Sequence, residues 1–271
     1  MNTPDRKDKD EEVLDLALQA GHILLENGAE IFRVEETISR ICRHYGVESG
    51  NAFVLSNGIF LTGGSVREEF FAKVQHIPVS STHLDKVAAV NQLSREIEQG
   101  HYRVEEASEE LERIRNMPRK RPWELILASG LGSGCFCYLF GGNPGDSTAA
   151  FLTGVVLYMY ILYVSGPHFS KIVGNIGGGI LLTLLCGLFS FLSLGQHLNY
   201  MIIGSIMPLI PGVAFTNAIR DMADEDYISG SVRMLDALLC FLCIAIGVGI
   251  GITILGQIDG GALLHTAENI F

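Results

Sequence analysis

The chain has 271 residues, 48% of them apolar and 18% charged, with a formal net charge of −11. An acidic balance without any basic stripe argues against nucleic acid as a partner. Of the 19 Lys and Arg residues, all but Lys171, Arg220 and Arg233 lie at or before Arg121. Two regions in two solvents follow: a charged α+β domain over residues 1–121 and a membrane domain of about five spanning helices over residues 122–271.

Residues 1–12 are a run of charges without the apolar core of a cleavable signal peptide, so this end is expected to stay in the cytoplasm. Apolar residues then recur at helical spacing through Val13, Leu16, Ala17, Ala20 and Leu24, and Asn27-Gly28 supplies a left-handed stop. A second stripe, Ile31, Val34, Ile38, Ile41 and Tyr45, predicts a helix over 30–45 that ends at Gly46. Short β-branched and aromatic segments over 52–56, 59–62 and 69–77 predict a three-stranded meander. Asn57-Gly58 would form its first turn and Gly63-Gly64 its second. Helical periodicity returns over 84–99 and 104–116, and Pro118 closes the domain.

Beyond it, apolar stretches near 122–141, 147–164, 172–194, 200–217 and 234–256 are long enough to cross a bilayer. Short cytoplasmic loops retain Lys and Arg, and translocated loops exclude them. With the N-terminus inside, Arg119, Lys120 and Arg121, then Lys171, then Arg220 and Arg233 all face the cytoplasm. The loops 142–146 and 195–199 and the tail from 257 contain no Lys or Arg, which places the C-terminus outside. Glycines at 130, 132 and 134, at 174 and 178, and at 247, 249 and 251 suit close helix packing within the bundle, or a packing surface for a second protein. Five of the six cysteines lie in apolar runs, where Cys behaves as a small hydrophobe; Cys240 and Cys243 alone make a poor metal or redox motif. No cofactor or metal is expected.

The fourth span carries Pro208, Pro211 and Gly212 mid-helix, where proline removes a hydrogen bond and clashes with the preceding turn. A helix broken there restarts with free N–H groups around residues 212–214, an arrangement that suits a carboxylate; a simple packing kink is the plain alternative. Asn217, Arg220, Asp221, Asp224, Glu225 and Asp226 crowd the end of that helix, and Asp236 lies one turn into the fifth span. Charges at membrane depth mark a pathway or an ion pair. For Asp236 the plain partner is Arg233 on the same helix face, and for 224–226 it is solvent. Asp146 and Glu124 sit at water boundaries and need no special role.

The segment Pro208-Leu-Ile-Pro211-Gly212-Val-Ala-Phe-Thr-Asn217-Ala-Ile-Arg220-Asp221, followed by Tyr227-Ile-Ser-Gly230 and Arg233, resembles the signature of the threonine/serine exporter family. Gly28-Ala29-Glu30 with Arg33-Val34-Glu35 resembles that family's N-terminal signature. Full-length members resemble two fused five-helix halves, and this chain resembles the first. The resemblance implies the larger subunit of a split exporter, similar to that of bacterial succinate export. Such a subunit would sit in the bacterial inner membrane with a small membrane partner, possible higher homo- or hetero-oligomers included.

Its cargo would be a small carboxylate, either a dicarboxylate such as succinate or threonine and serine. The substrate-binding candidates are Pro208, Pro211, Gly212, Asn217, Arg220 and Asp221, and the coupling candidates are Asp221 and Asp236. Arg33 and Glu35 are expected to join the soluble domain to the loop after the fourth span, with Asp221, Asp224 and Glu225 as partners for Arg33. The competing class is a membrane-anchored enzyme or sensor. Residues 1–121 hold no Ser/His/Asp set, metal-ligand spacing or phosphate loop to support it.

Overall fold

The computed structural model describes residues 3–47, 51–63, 71–77, 83–118 and 120–258. Gly64, Glu69, Phe70, Arg119 and the tail beyond Ile258, on which parts of the sequence reading fell, lie outside the described residues. The chain forms two compact units: residues 1–118 together with 212–235, and residues 119–211 together with 236–271.

In the first unit, α1 (Thr3–Glu26) and α2 (Ile31–His44) are joined by a tight turn. Gly28 takes φ +82°, its N–H donates to the Leu25 carbonyl, and Ala29 N–H donates to the Leu24 carbonyl. This pair of bonds satisfies the last carbonyls of α1 and needs the left-handed conformation that glycine adopts without penalty. The predicted stripe of α2 is buried at Ile31, Val34, Ile38 and Ile41.

The strands β1 (Asn51–Leu55), β2 (Gly58–Gly63) and β3 (Phe71–His76) form an antiparallel meander in the order β1-β2-β3. Leu55 pairs with Gly58, so the two-residue loop is Ser56-Asn57, one residue earlier than the dipeptide signal suggests. That register puts Val54, Ile59 and Leu61 in the core and leaves Phe53 and Phe60 outside. Helices α3 (Leu84–Glu98) and α4 (Val104–Arg115) complete the layer. Leu16, Leu24, Ile38, Ile59, Ile97 and Leu111 form its fully buried centre. The same unit contains α10 (Gly212–Ala223) and the first turns of α11 (Tyr227–Ile258).

The second unit contains α5 (Pro122–Leu139) and α6 (Pro144–Tyr160), which continues through a π turn (Ile161–Ser165) into the short α7 (Gly166–His168). It also contains α8 (Lys171–Phe191), α9 (Leu198–Ile206) and the remainder of α11. Three of the described helical segments are long and apolar enough to cross a membrane: Pro144–Ser165, Lys171–Phe191 and Tyr227–Ile258. The broken pair Leu198–Leu209 and Gly212–Ala223 makes a fourth if it counts as one span. The segment expected as the first span is helical, but Glu124, Ser129, Ser133 and the glycines at 130, 132 and 134 dilute its apolar character.

Several of these glycines are packing positions inside the unit. A Cβ on Gly179 would come within 2.9 Å of the Ile244 carbonyl oxygen and 3.0 Å of the Gly247 Cα, and one on Gly134 within 3.0 Å of the Ser147 carbonyl oxygen. Gly132 and Gly249 face open space.

Candidate substrate site

The helical break sits where the prolines put it. After α9 the chain makes a single 3-10 turn (Met207–Leu209), and Ile210 becomes extended (φ −67°, ψ 123°), the conformation that a following proline imposes. Helix α10 starts at Gly212, directly after Pro211. A Cβ on Gly212 would meet nothing within 4 Å, so the backbone there is open to approach.

The polar residues of α10 are turned toward the α1–α2 turn of the same unit. Asn217 Nδ2 donates to the Gly28 carbonyl at 2.8 Å. Arg220 Nη1 forms an ion pair with Glu30 Oε1. Asp221, only 2% exposed, accepts from Ile31 N–H at 3.2 Å and from Arg233 Nη1 at 2.9 Å. Arg233 also donates through Nη2 to the Ala29 carbonyl at 3.1 Å. The turn between α1 and α2 is thus grasped at four successive residues, 28 to 31. The two sequence segments singled out by resemblance meet here.

Arg33 and Glu35 hold other positions than those expected. The ion pair of Arg33 is with Glu30, at 3.5 Å, and the contacts to α10 come instead from Glu30 and from backbone groups of 28–31. Glu35 Oε1 accepts from Val54 N–H at 3.0 Å and so ties α2 to β1. Burial pushes its carboxyl above the ordinary glutamate range, the Val54 N–H opposes this, and the nearby Asp226 charge adds to the rise. Asp236 pairs with Lys171 Nζ at 2.6 Å in the second unit, and Arg233 turns to Asp221. Local i,i+3 spacing allowed Arg233 and Asp236 to pair, but tertiary partners took both.

Two residues named in the sequence analysis have roles that it did not assign. Glu30, named in the N-terminal signature but given no role there, is the shared anchor of Arg33 and Arg220. Asp146, read as a solvated boundary residue, is 0% exposed. It accepts from the N–H groups of Gln196 (2.6 Å), His197 (3.0 Å) and Asn143 (2.9 Å), and pairs with His197 Nδ1 at 2.8 Å. The Asn143-Pro-Gly-Asp146 spacing is a capping box and could have flagged half of this cluster; the other half lies 50 residues on.

The first unit also holds two hollows. One of about 260 Å³ lies among the α1–α2 turn, α3 and α10, and is lined by residues that include Glu30, Arg33, Asn91 and Asn217. A larger one of about 600 Å³ lies along α3 and α4, lined by Glu96, Glu106, Glu109 and Glu110 with Arg113. Its acidic wall repels an anionic ligand. Among the described residues no set of His, Cys, Asp and Glu converges as a metal site.

Residues 15–255 match the family model described as "Putative threonine/serine exporter". The chain belongs to the threonine/serine exporter family. That family is one of membrane exporters and not of enzymes.

A "Probable succinate transporter subunit" of Klebsiella aerogenes is 27% identical over 269 residues, covering 92% of this chain and 97% of that protein. The "Threonine/serine exporter" of Corynebacterium glutamicum is 24% identical, covering 89% of this chain and 50% of that protein. "Pheromone-regulated membrane protein 10" of Debaryomyces hansenii is 23% identical, over 90% of this chain and 24% of its own length. The chain therefore spans nearly all of the succinate transporter subunit, half of the exporter and a quarter of the yeast protein. No solved structure matches the chain.

Proposed function

We propose that this chain is the larger subunit of a secondary exporter of small carboxylate metabolites, working with a small membrane partner in the bacterial cytoplasmic membrane. The observation that carries the reading is the near end-to-end match to a relative named as a transporter subunit, set beside a match to only half of the threonine/serine exporter. The cargo is a dicarboxylate such as succinate, or threonine and serine. The N-terminus is cytoplasmic and the C-terminus external, in a bundle of about five spans.

The break at Pro208–Pro211 forms the substrate site, and Gly212 leaves its first N–H groups approachable by a carboxylate. Asn217 and Arg220 hold α10 to the α1–α2 turn, and Asp221 and Asp236 are the groups through which a proton gradient would act. Their ion pairs with Arg233 and Lys171 give each a partner to release or regain.

Efflux of labelled succinate, threonine and serine, from cells carrying the chain with its partner, tests the reading. Pro211→Ala closes the helix and should reduce efflux at least about tenfold at matched abundance, the loss of one charge-assisted interaction. Gly212→Leu should act similarly through blockage, since no protein atom obstructs the new side chain. Parental efflux in both variants returns the break to a packing kink.

A further inference from the structure

We infer that the hollow of about 260 Å³ in the first unit is a binding station for the cargo's carboxylate, with Arg33 as its anchor and an apolar wall for a short carbon chain. The inference rests on the export reading for the identity of the cargo, but the site itself is argued from its own geometry.

The charge balance comes first. Glu30 is held by two guanidinium groups, Arg33 and Arg220, so this set carries one surplus positive charge. Arg33 is the looser of the two. It is about two-fifths exposed, and among the described residues its ion pair is the 3.5 Å contact with Glu30. A guanidinium offers five N–H donors in a planar fork that matches a carboxylate, so Arg33 can take a ligand oxygen pair without first giving up a strong partner.

The walls come second. Leu84, Val87 and Val213 present apolar surface to the hollow, while Asn91 and Asn217 stand among its lining. Leu84 is 57% exposed, so part of its apolar area stays accessible to a ligand. Apolar surface with a few polar groups at one end describes the sites that bind small amphiphilic molecules. The volume suits a metabolite of a few carbons. The other hollow, though larger, is walled by carboxylates and fits no such ligand.

The position of the hollow gives the station its use. Val213 and Asn217 belong to α10, the helix that starts at the break, and Gly28 to Arg33 belong to the turn that α10 grasps. A ligand bridging Arg33 and α10 would join the same two elements as the Asn217, Arg220 and Asp221 contacts. Binding and the grip of α10 on the turn would therefore strengthen each other.

The test is binding of succinate, L-threonine and L-threoninol to the purified full chain in lipid nanodiscs, by calorimetry. L-Threoninol is threonine with an alcohol in place of the carboxylate. At least one of the two carboxylates should bind, and threoninol at least about tenfold more weakly than threonine if threonine is the one bound. Arg33→Gln and Ala88→Phe, the latter placed at an exposed lining position so that the fold is spared, should each weaken binding at least about tenfold. Arg33→Lys should recover part of the loss, and Glu109→Gln in the acidic hollow should leave binding unchanged. Absence of binding by both carboxylates, or binding indifferent to Arg33→Gln and Ala88→Phe, overturns the station. Binding with the expected pattern but no efflux with the partner present leaves the station standing and overturns the export reading.

Discussion

The two units differ in the share of large side chains that they bury. In the first, many large side chains are fully buried, Leu16, Leu24, Leu25, Ile38, Ile41, Ile59, Ile97 and Leu111, with small ones such as Ala17 and Ala107 among them. In the second, Leu157 and Leu182 are joined at the centre by Ala149, Ala150, Cys137, Thr153, Thr183, Cys186 and Ser205. There the large residues Leu131, Leu139, Phe191, Leu238 and Leu242 point outward. Water drives large apolar groups inward, but lipid tails are as apolar as leucine and give no such drive. What holds helices together in lipid is close approach, so small residues take the inside. The contrast supports a lipid-facing second unit from packing alone, without reference to hydropathy.

The largest expected effect tests the polar exception in the first unit. Asp221→Ala leaves Arg233, 12% exposed at its side chain, without its carboxylate, at a cost of about 3–5 kcal/mol. Replacing both residues by Leu should recover most of this, as measured by denaturant unfolding of the purified chain. Equal damage from single and double variants would mean that the α1–α2 turn, not the ion pair, needs Asp221.

Next in size is a direct exchange between the two packing regimes. Gly179→Leu forces a side chain against the backbone of Ile244 and Gly247 and should cost about 3 kcal/mol or more. Leu242→Ala, at an outward position, should change stability by less than about 1 kcal/mol, whereas Leu24→Ala in the first unit should cost about 2–5 kcal/mol. Thermal unfolding in detergent measures all three, and a costly Leu242→Ala would break the contrast.

The smallest effect is a pH dependence. Glu35 has a raised carboxyl in the folded chain against an ordinary value of 4.5. The folded state therefore holds this proton more tightly than the unfolded state. The associated stability is fully present below 4.5 and is lost as pH rises through the raised value. Glu35→Gln keeps an acceptor for Val54 N–H and removes the titration. The stability difference between parent and variant should shift in favour of the variant across that window and stay level above it. A flat difference would mean that Glu35 ionises in the fold as freely as in the unfolded chain.

What the sequence made legible was local. The stripe of α2, the stop at Gly28 and the break at Pro208–Pro211 each depend on residues within one or two turns, and each lies where periodicity or a proline puts it. Partner choice was not local. Arg233 had an acid three residues away and bonds one twelve residues away, and Asp146 has two of its bonding partners 50 and 51 residues on. The one-residue shift of the β1–β2 loop shows the same limit: the dipeptide proposed a turn, but alternation of Val54 and Ile59 into the core fixed the register. The helical character of 212–223 was expected, whereas its membership of the first unit depended on bonds to residues nearly 190 positions earlier.

The buried carboxylate of Asp146 sets a parity rule for threading the chain through the membrane. It stands at the first turn of α6 and binds the backbone just before α9, so the two helices must begin on the same face of the bilayer. The number of crossings between those points is therefore even, whatever the total for the chain. Helix α6 with its π turn and helix α8, each long and apolar enough to cross, would supply one each, inward and back, and a cysteine placed at 143 should be labelled by an impermeant reagent from the same side as one placed at 196.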